Sequence, residues 1–148
     1  MEYVQERIAT LHDFGDARPD APTDRAAVVV PMTEREYGAW ATERTLSELE
    51  VVDPAGVVVP LDCTAGRAAE FRDWLAGFEV DVEVLWCSGG GLDSLLDERG
   101  LDGEAGKGRD VWLALGLAAA EHPLVVCHDA DVRTYEAGHV SRLLAPVE

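Results

Sequence analysis

The sequence predicts an α/β protein: a three-layer sandwich around a mostly parallel sheet of about four strands. Two features predict it. Short, apolar, β-branched runs without polar alternation recur along the chain, the pattern of strands buried on both faces. Between them lie stretches with apolar residues at helical spacing. Strand–helix alternation repeated this often implies parallel strands joined by right-handed crossovers. The 148 residues suffice for one domain with a sizeable core.

Residues 1–25 read as an N-terminal helix and linker, and 26–148 as one α/β domain. Over 2–14, Tyr3, Ile8 and Leu11 define one side of a short amphipathic helix. The Gly/Asp/Pro/Ala stretch from Gly15 to Asp24 has the composition of a surface linker. AAVVVPM (26–32) is the first strand, ending at Pro31. A helix follows over 36–50, carrying Trp40, Leu46 and Leu49. Val57 to Val59 form the second strand, closed by Pro60, Leu61 and Asp62. Thr64 is placed to cap a helix running to about Ala76, with Ala68, Phe71 and Leu75 inward. VDVEVLW (80–86) is the third strand. A glycine-rich loop from Ser88 to Gly91 leads to a short helix over 92–98. LDGEAGKGRD (101–110) is a loop that opens a helix from Arg109 to about Ala120. PLVVCHDAD (123–131) is the fourth strand, with an acidic end. Gly138 to Leu144 starts one more helix. Trp40, Trp74, Trp86 and Trp112 read as core. Cys63, Cys87 and Cys127 read as buried small hydrophobes.

Twenty-nine acidic and 12 basic residues give a formal net charge of −17. A surface that negative repels phosphate backbones and anionic headgroups, which argues against nucleic-acid or membrane-surface binding as the main task. The longest apolar stretch, Val111 to Ala120, falls well short of the roughly 20 residues of a membrane span. The N-terminus lacks the basic start and apolar block of a secretory signal. Three cysteines without C-x-x-C spacing fit a reduced cytoplasm. Among the basic residues 11 are arginine and one is lysine, Lys107. Lysine scarcity beside abundant Asp and Glu points to a protein of concentrated salt, where screening shortens charge repulsion to about 3 Å at 1 M. A surface tuned for solubility in a high-GC genome has the same composition.

In open sheets of this type, ligands bind beyond the carboxyl ends of the strands. The segments of interest are therefore Pro31 to Glu36, Asp62 to Thr64, Cys87 to Gly91 and His128 to Asp131. Asp129 and Asp131 place two carboxylates near one point if the chain turns there. Mg²⁺ or Mn²⁺ wants such oxygen ligands and can bridge them to a diphosphate. The plainer alternative is a turn whose Asp caps the next helix. Gly106-Lys107-Gly108 precedes a helix, where free N–H groups favour an anion and the lysine adds a point charge. The spacing is not that of a P-loop, and Gly108 stands where Ser or Thr would be. Asp62 ends the second strand and could accept from a ribose hydroxyl or a base N–H, or simply serve a turn. Glu34 and Glu36 could serve the nucleoside, or the dipole of the next helix. Ser88 and the glycines after it could line the floor of the same crevice. The four histidines share no metal-ligand spacing, and His128, beside the acidic pair, could touch a ligand but reads first as a strand-end packing residue. No Ser-His-Asp or Cys-His set can be argued, so no catalytic residue is assigned.

The VVVP strand, the acid-ended second strand, the GKG loop opening a helix and VVCHDAD, in that order, resemble the N-terminal half of GT-A glycosyltransferases. The likeness is nearest to glucosyl- and mannosyl-3-phosphoglycerate synthases, with their VLP-type first strand, GKG-E loop and FVDAD strand end. YVQERIATLHDFG is similar to the family's lead-in helix. The resemblance implies the Rossmann-like half of a GT-A fold that binds a nucleotide-diphosphate sugar and transfers it, with retention, to a small phosphorylated or hydroxy-acid acceptor. It implies that Asp131 ligates the metal and that Asp129 contacts the ribose or the metal shell. Lys107 would contact the nucleotide, Asp62 would sit near the base, and Pro31 and Glu34 would border the nucleoside pocket. The chain departs from the family at Glu34-Arg35, where Asn-Glu is usual, and at LDCTAG, which leaves the base open. GT-A enzymes continue well beyond the acidic motif, whereas about 17 residues follow Asp131 here. A fragment, a truncated product or half of a split enzyme is therefore expected, with a second chain or a homo-oligomer as partner. Two other classes compete. One is a non-catalytic nucleotide-sugar-binding or assembly module. The other is a sugar-phosphate nucleotidyltransferase, which would carry a glycine-rich loop where this chain has PMTERE.

Overall fold

The computed structural model describes residues 18–101 and 103–147. The helix expected over 2–14 lies outside them. The apolar runs build the centre. β1 (Ala26–Val29), β2 (Met32–Thr33), β3 (Gly56–Asp62), β4 (Val82–Trp86) and β5 (Leu124–Cys127) form one sheet, every pairing parallel. β1 and β2 both pair with β3 in a single register, Ala27 opposite Gly56 and Met32 opposite Leu61. They are one strand interrupted at Pro31, which has no N–H to give to a ladder. The lateral order is β4, β3, β1 in line with β2, then β5. The sheet is thus four strands wide, as expected. β5 has no strand on its outer side among the described residues.

Alternation of side chains across each strand makes the layers. Ala26, Val28 and Val30, with Val57, Val59 and Leu61 of β3, face one side. They meet Leu46 and Leu49 of α1 (Trp40–Val52), Phe71 and Leu75 of α2 (Ala65–Leu75), and, further along the chain, the last described helix (Gly138–Leu144). Ala27, Val29 and Val58 face the other side. There they receive Ala114 and Ala118 of the helix Lys107–Glu121, small residues that let it sit close. The short helix Gly90–Glu98 buries Leu96. In chain order these three helices are α3 (Gly90–Glu98), α4 (Lys107–Glu121) and α5 (Gly138–Leu144). No described helix is long and apolar enough to cross a membrane.

Several element edges and burials correct the reading from sequence. α1 starts at Trp40, not 36, because Thr33-x-x-Glu36 closes a capping box on a 3-10 turn (Glu34–Glu36). α3 and α4 each start two residues earlier than expected, so Lys107 is already helical. The last strand stops at Cys127, and His128–Asp131 leave the sheet. Trp40 and Trp112 are not core: they are 63% and 55% exposed. In α1 the buried positions are Thr42, Thr45, Leu46, Leu49 and Val52, a helical stripe that residue 40 misses. In α4 the buried Asp110, Ala114 and Ala118 recur every fourth residue, and 112 points away. Trp74 and Trp86 are partly buried against the core. Cys63 and Cys87 are buried, but Cys127 is exposed on the edge strand.

Candidate functional site

Parallel strands end on one side, and there the described chain forms a cavity of about 130 Å³. Pro31, Met32 and Thr33 border it from the first strand, and Asp62 from β3. Lys107 and Asp110 reach it from α4, and Asp129, Ala130 and Asp131 from the turn after β5. Lys107, Asp129 and Asp131, singled out in the sequence for a diphosphate and its cation, thus share one cleft with Asp62, singled out for the ribose or base.

Lys107 is placed by the glycine before it. Gly106 takes φ 155°, a conformation that side-chain-bearing residues rarely adopt, and α4 begins at the next residue. Lys107 Nζ pairs with Asp129 Oδ1. That hydrogen bond holds the ammonium pKa above its ordinary value against a small cost of burial, with the Asp129 and Asp131 charges adding to it. The lysine therefore stays charged, and its side chain, 65% exposed, remains open to a ligand.

Asp110 is the site residue that sequence reasoning missed. It lies three residues after Lys107 and so shares its helix face, a signal the sequence did contain. The residue is 4% exposed. Burial pushes its carboxyl pKa up, and the neighbouring Arg109, with Nε at 3.4 Å, opposes the shift. Arg109 also donates to Asp93 Oδ1 at 3.0 Å and to Cys87 O at 2.9 Å, tying α4 to α3 and to the loop after β4. Burial, then the charge of Asp110, pushes the Cys87 thiol up to about 12. It is a neutral packing group, as its sequence context suggests. A carboxyl whose pKa is raised by folding contributes stability below its unfolded value and loses it as pH rises through the folded value. Asp110→Asn is accordingly expected to raise the melting temperature at pH 7 and to lose that advantage near pH 4. Thermal unfolding across that range reads the difference.

Asp62 accepts from Ser88 Oγ, which joins the end of β3 to the loop after β4. Asp62 and Thr33 also border a second, wider hollow, lined further by Glu34, Cys63, Thr64, Trp86 and Ser88. Ser88 and Glu34 thus lie beside the first cavity, across Asp62, and not in it. Glu34 is committed to the fold. Its Oε1 accepts from both the N–H and the hydroxyl of Thr64, each at 2.8 Å, and the backbone bond comes first in lowering its pKa. Thr64 does sit at the N-cap of α2, but its side chain serves Glu34 instead of capping the helix. Glu36, on the rim of the first cavity, is likewise engaged by Thr33 at 2.5 Å. Gly89 packs tightly on Trp86: a Cβ there would lie 3.0 Å from the ring, which would have to give by a few tenths of an ångström.

Among the described residues, no group of three or more His, Cys, Asp or Glu side chains forms a ready-made metal cage. Asp129 and Asp131 bring carboxylate oxygens to the cleft, the ligand type that hard divalent ions such as Mg²⁺ take.

Together these features define a class: a Rossmann-like, three-layer α/β protein with its cleft beyond the carboxyl ends of the strands. No family model matches the sequence. Two curated proteins resemble it, both named glucosyl-3-phosphoglycerate synthase. The one from Methanococcoides burtonii is 26% identical over 99% of this chain and 40% of its own length. The one from Persephonella marina is 28% identical over 81% of this chain and 32% of its own length. The chain spans less than half the length of the curated relatives it matches. The likeness supports the glycosyltransferase family.

Proposed function

We propose that this chain is the nucleotide-sugar-binding part of a glycosyltransferase that holds the donor's diphosphate through Mg²⁺ or Mn²⁺. One observation carries the reading: the ammonium of Lys107 and the carboxylates of Asp129 and Asp131 border a single cleft at the carboxyl ends of parallel strands. Glycosyl transfer from a nucleotide sugar demands stabilisation of a departing diphosphate more than a strong protein nucleophile. A divalent ion, when bound, supplies Lewis-acid stabilisation of that leaving group. Lys107 adds a fixed positive charge beside it. Asp131 is the direct ligand in this reading, and Asp129 shares the ion and orients Lys107. Asp62, steadied by Ser88, accepts from the ribose or base. Pro31 borders the nucleoside, and Glu34 shapes the rim by holding Thr64. The relatives' names supply the finer terms: glucose as the sugar and 3-phosphoglycerate as the acceptor.

Titration calorimetry with UDP-, GDP- and ADP-glucose, with and without Mn²⁺, tests the reading. Binding that requires the metal and is lost in Asp131→Ala is expected. Binding indifferent to both overturns it.

A further inference from the structure

The acidic turn stands outside the sheet, so ladder bonds do not set its direction beyond His128. Two side chains behind it do. Ala130 O accepts from Thr45 Oγ1 at 3.2 Å, a contact across 85 residues. A helical threonine often returns its hydroxyl to the carbonyl one turn back. Thr45, 0% exposed in the middle of α1, spends it on the turn. Asp129 O lies 3.0 Å from His128 Nδ1. A carbonyl can only accept, so Nδ1 carries the proton and Nε2 the lone pair. The Tyr135 hydroxyl, 2.9 Å from Nε2, therefore donates to it. Tyr135 is fully buried, its ring 5.1 Å from that of His139.

The same helix holds the chain just beyond. Arg44 Nε donates to Tyr135 O at 2.9 Å, and Glu48 Oε2 accepts the Ala137 N–H at 2.9 Å. Arg44, Thr45 and Glu48 thus bracket residues 130–137 from one face of α1. The two peptide carbonyls within the Asp129–Asp131 turn are both engaged by side chains that do not line the cleft. Rotation of the Ala130 peptide would strand the buried Thr45 hydroxyl, rotation of the Asp129 peptide would break the His128 contact, and in either case the neighbouring carboxylate would swing with it.

We propose that Thr45 and the Tyr135–His128 pair are positioning residues that direct the carboxylates of Asp129 and Asp131 into the cleft. The inference rests on the reading that those carboxylates hold a cation and a diphosphate. Outer-shell partners of this kind orient metal ligands without touching the ion. None of the three side chains needs to reach the substrate to matter.

The test compares the intact chain with Thr45→Val, which keeps the shape and removes the hydroxyl, with Thr45→Ser, which restores it, and with Tyr135→Phe. Backbone ¹⁵N order parameters of the ligand-free proteins are measured first. Those of residues 129–131 are expected to fall from the rigid range near 0.85 toward about 0.6 in Thr45→Val and Tyr135→Phe. Thr45→Ser should match the wild type, and β3 should stay rigid throughout. Titration of Mn²⁺ in the presence of UDP, and separately of GDP, is expected to show affinity lowered roughly tenfold or more in the same two variants. Order parameters unchanged at the turn, or lowered equally in β3, overturn the inference. So does unaltered affinity in the two variants when the wild type binds. A wild type that binds no manganese nucleotide sinks the functional reading instead, and the order parameters alone then decide the positioning role.

Discussion

Replacing Lys107 with alanine is expected to weaken the manganese–nucleotide complex roughly ten- to hundredfold while leaving the melting temperature where it was. The asymmetry follows from exposure. The Lys107 and Asp129 side chains are 65% and 58% exposed, and ion pairs at such positions contribute about 0–1 kcal/mol to folding. A ligand diphosphate is different, because it would enter a cleft where this ammonium faces Asp62, Asp110, Asp129 and Asp131. A hydrogen bond to a charged group is worth about 1.5–3 kcal/mol, which sets the size of the loss. A second effect should have the opposite sign. In the free chain Lys107 already occupies Asp129. A metal ion held by that carboxylate would have to compete with the ammonium, so under the proposed function Mn²⁺ alone is expected to bind Lys107→Ala more tightly than the wild type. Calorimetric titration with and without nucleotide separates the two effects. If the variant matched the wild type in both titrations, Lys107 would be an idle surface residue.

The convergence of Lys107 with the acidic turn was readable from sequence because one rule governs it. In a parallel sheet every strand delivers its carboxyl end to the same edge, and a helix leading back to the next parallel strand begins at that edge, so residues that follow strands and residues that open such helices become neighbours whatever their separation. The GKG and DAD segments need only that rule. Glu34 needed more. A glutamate in a first turn reads as a dipole partner or a nucleoside ligand, and nothing local reveals that its carboxylate reaches Thr64, 30 residues on. Thr45 is hidden for the same reason, since its partner is 85 residues away. Local signals that were present also decided outcomes. The Thr33-x-x-Glu36 box delays α1, and the spacing of Lys107 and Asp110 puts both on one helix face.

Burial was less legible than order. Strand residues flanked by strands are buried on both sides, so the apolar runs identified the core directly. A helix buries one stripe only, and hydrophobicity alone does not say which tryptophan lies on it. Trp40 and Trp112 sit on α/β helices at positions two residues away from the buried stripes of α1 and α4. The stripes hold polar residues as well as leucines and alanines: Thr45 finds a partner in the Ala130 carbonyl and Asp110 lines the cleft, whereas the Thr42 hydroxyl has no partner among the described residues.

That difference makes the second large effect a contrast between two aromatic residues. Phe71→Ala is expected to cost about 3–5 kcal/mol, the range for deleting a buried ring. Phe71 is 0% exposed, between α2 and the sheet. Tyr37 meets it at 5.1 Å and 66°, and Trp74 at 5.8 Å and 86°, with Phe78 set edge-on to Trp74 beyond. Removing the ring undercuts that whole aromatic array, so the site cannot close over the void. At roughly 2–4 °C per kcal/mol for a chain of this size, the melting temperature should fall by about 6–20 °C. Trp40 carries a larger ring but lies outside the core. Among the described residues its one aromatic-type contact is Arg44, 5.8 Å from the ring centroid, and an exposed cation–π pair is worth about 0.5–1 kcal/mol. Trp40→Ala should therefore cost no more than about 1 kcal/mol, with urea unfolding to measure both variants. Equal losses would mean that α1 presents a different face to the sheet. In that case Thr45 could not reach the acidic turn, and the link between packing and the cleft would fail together with the stability prediction.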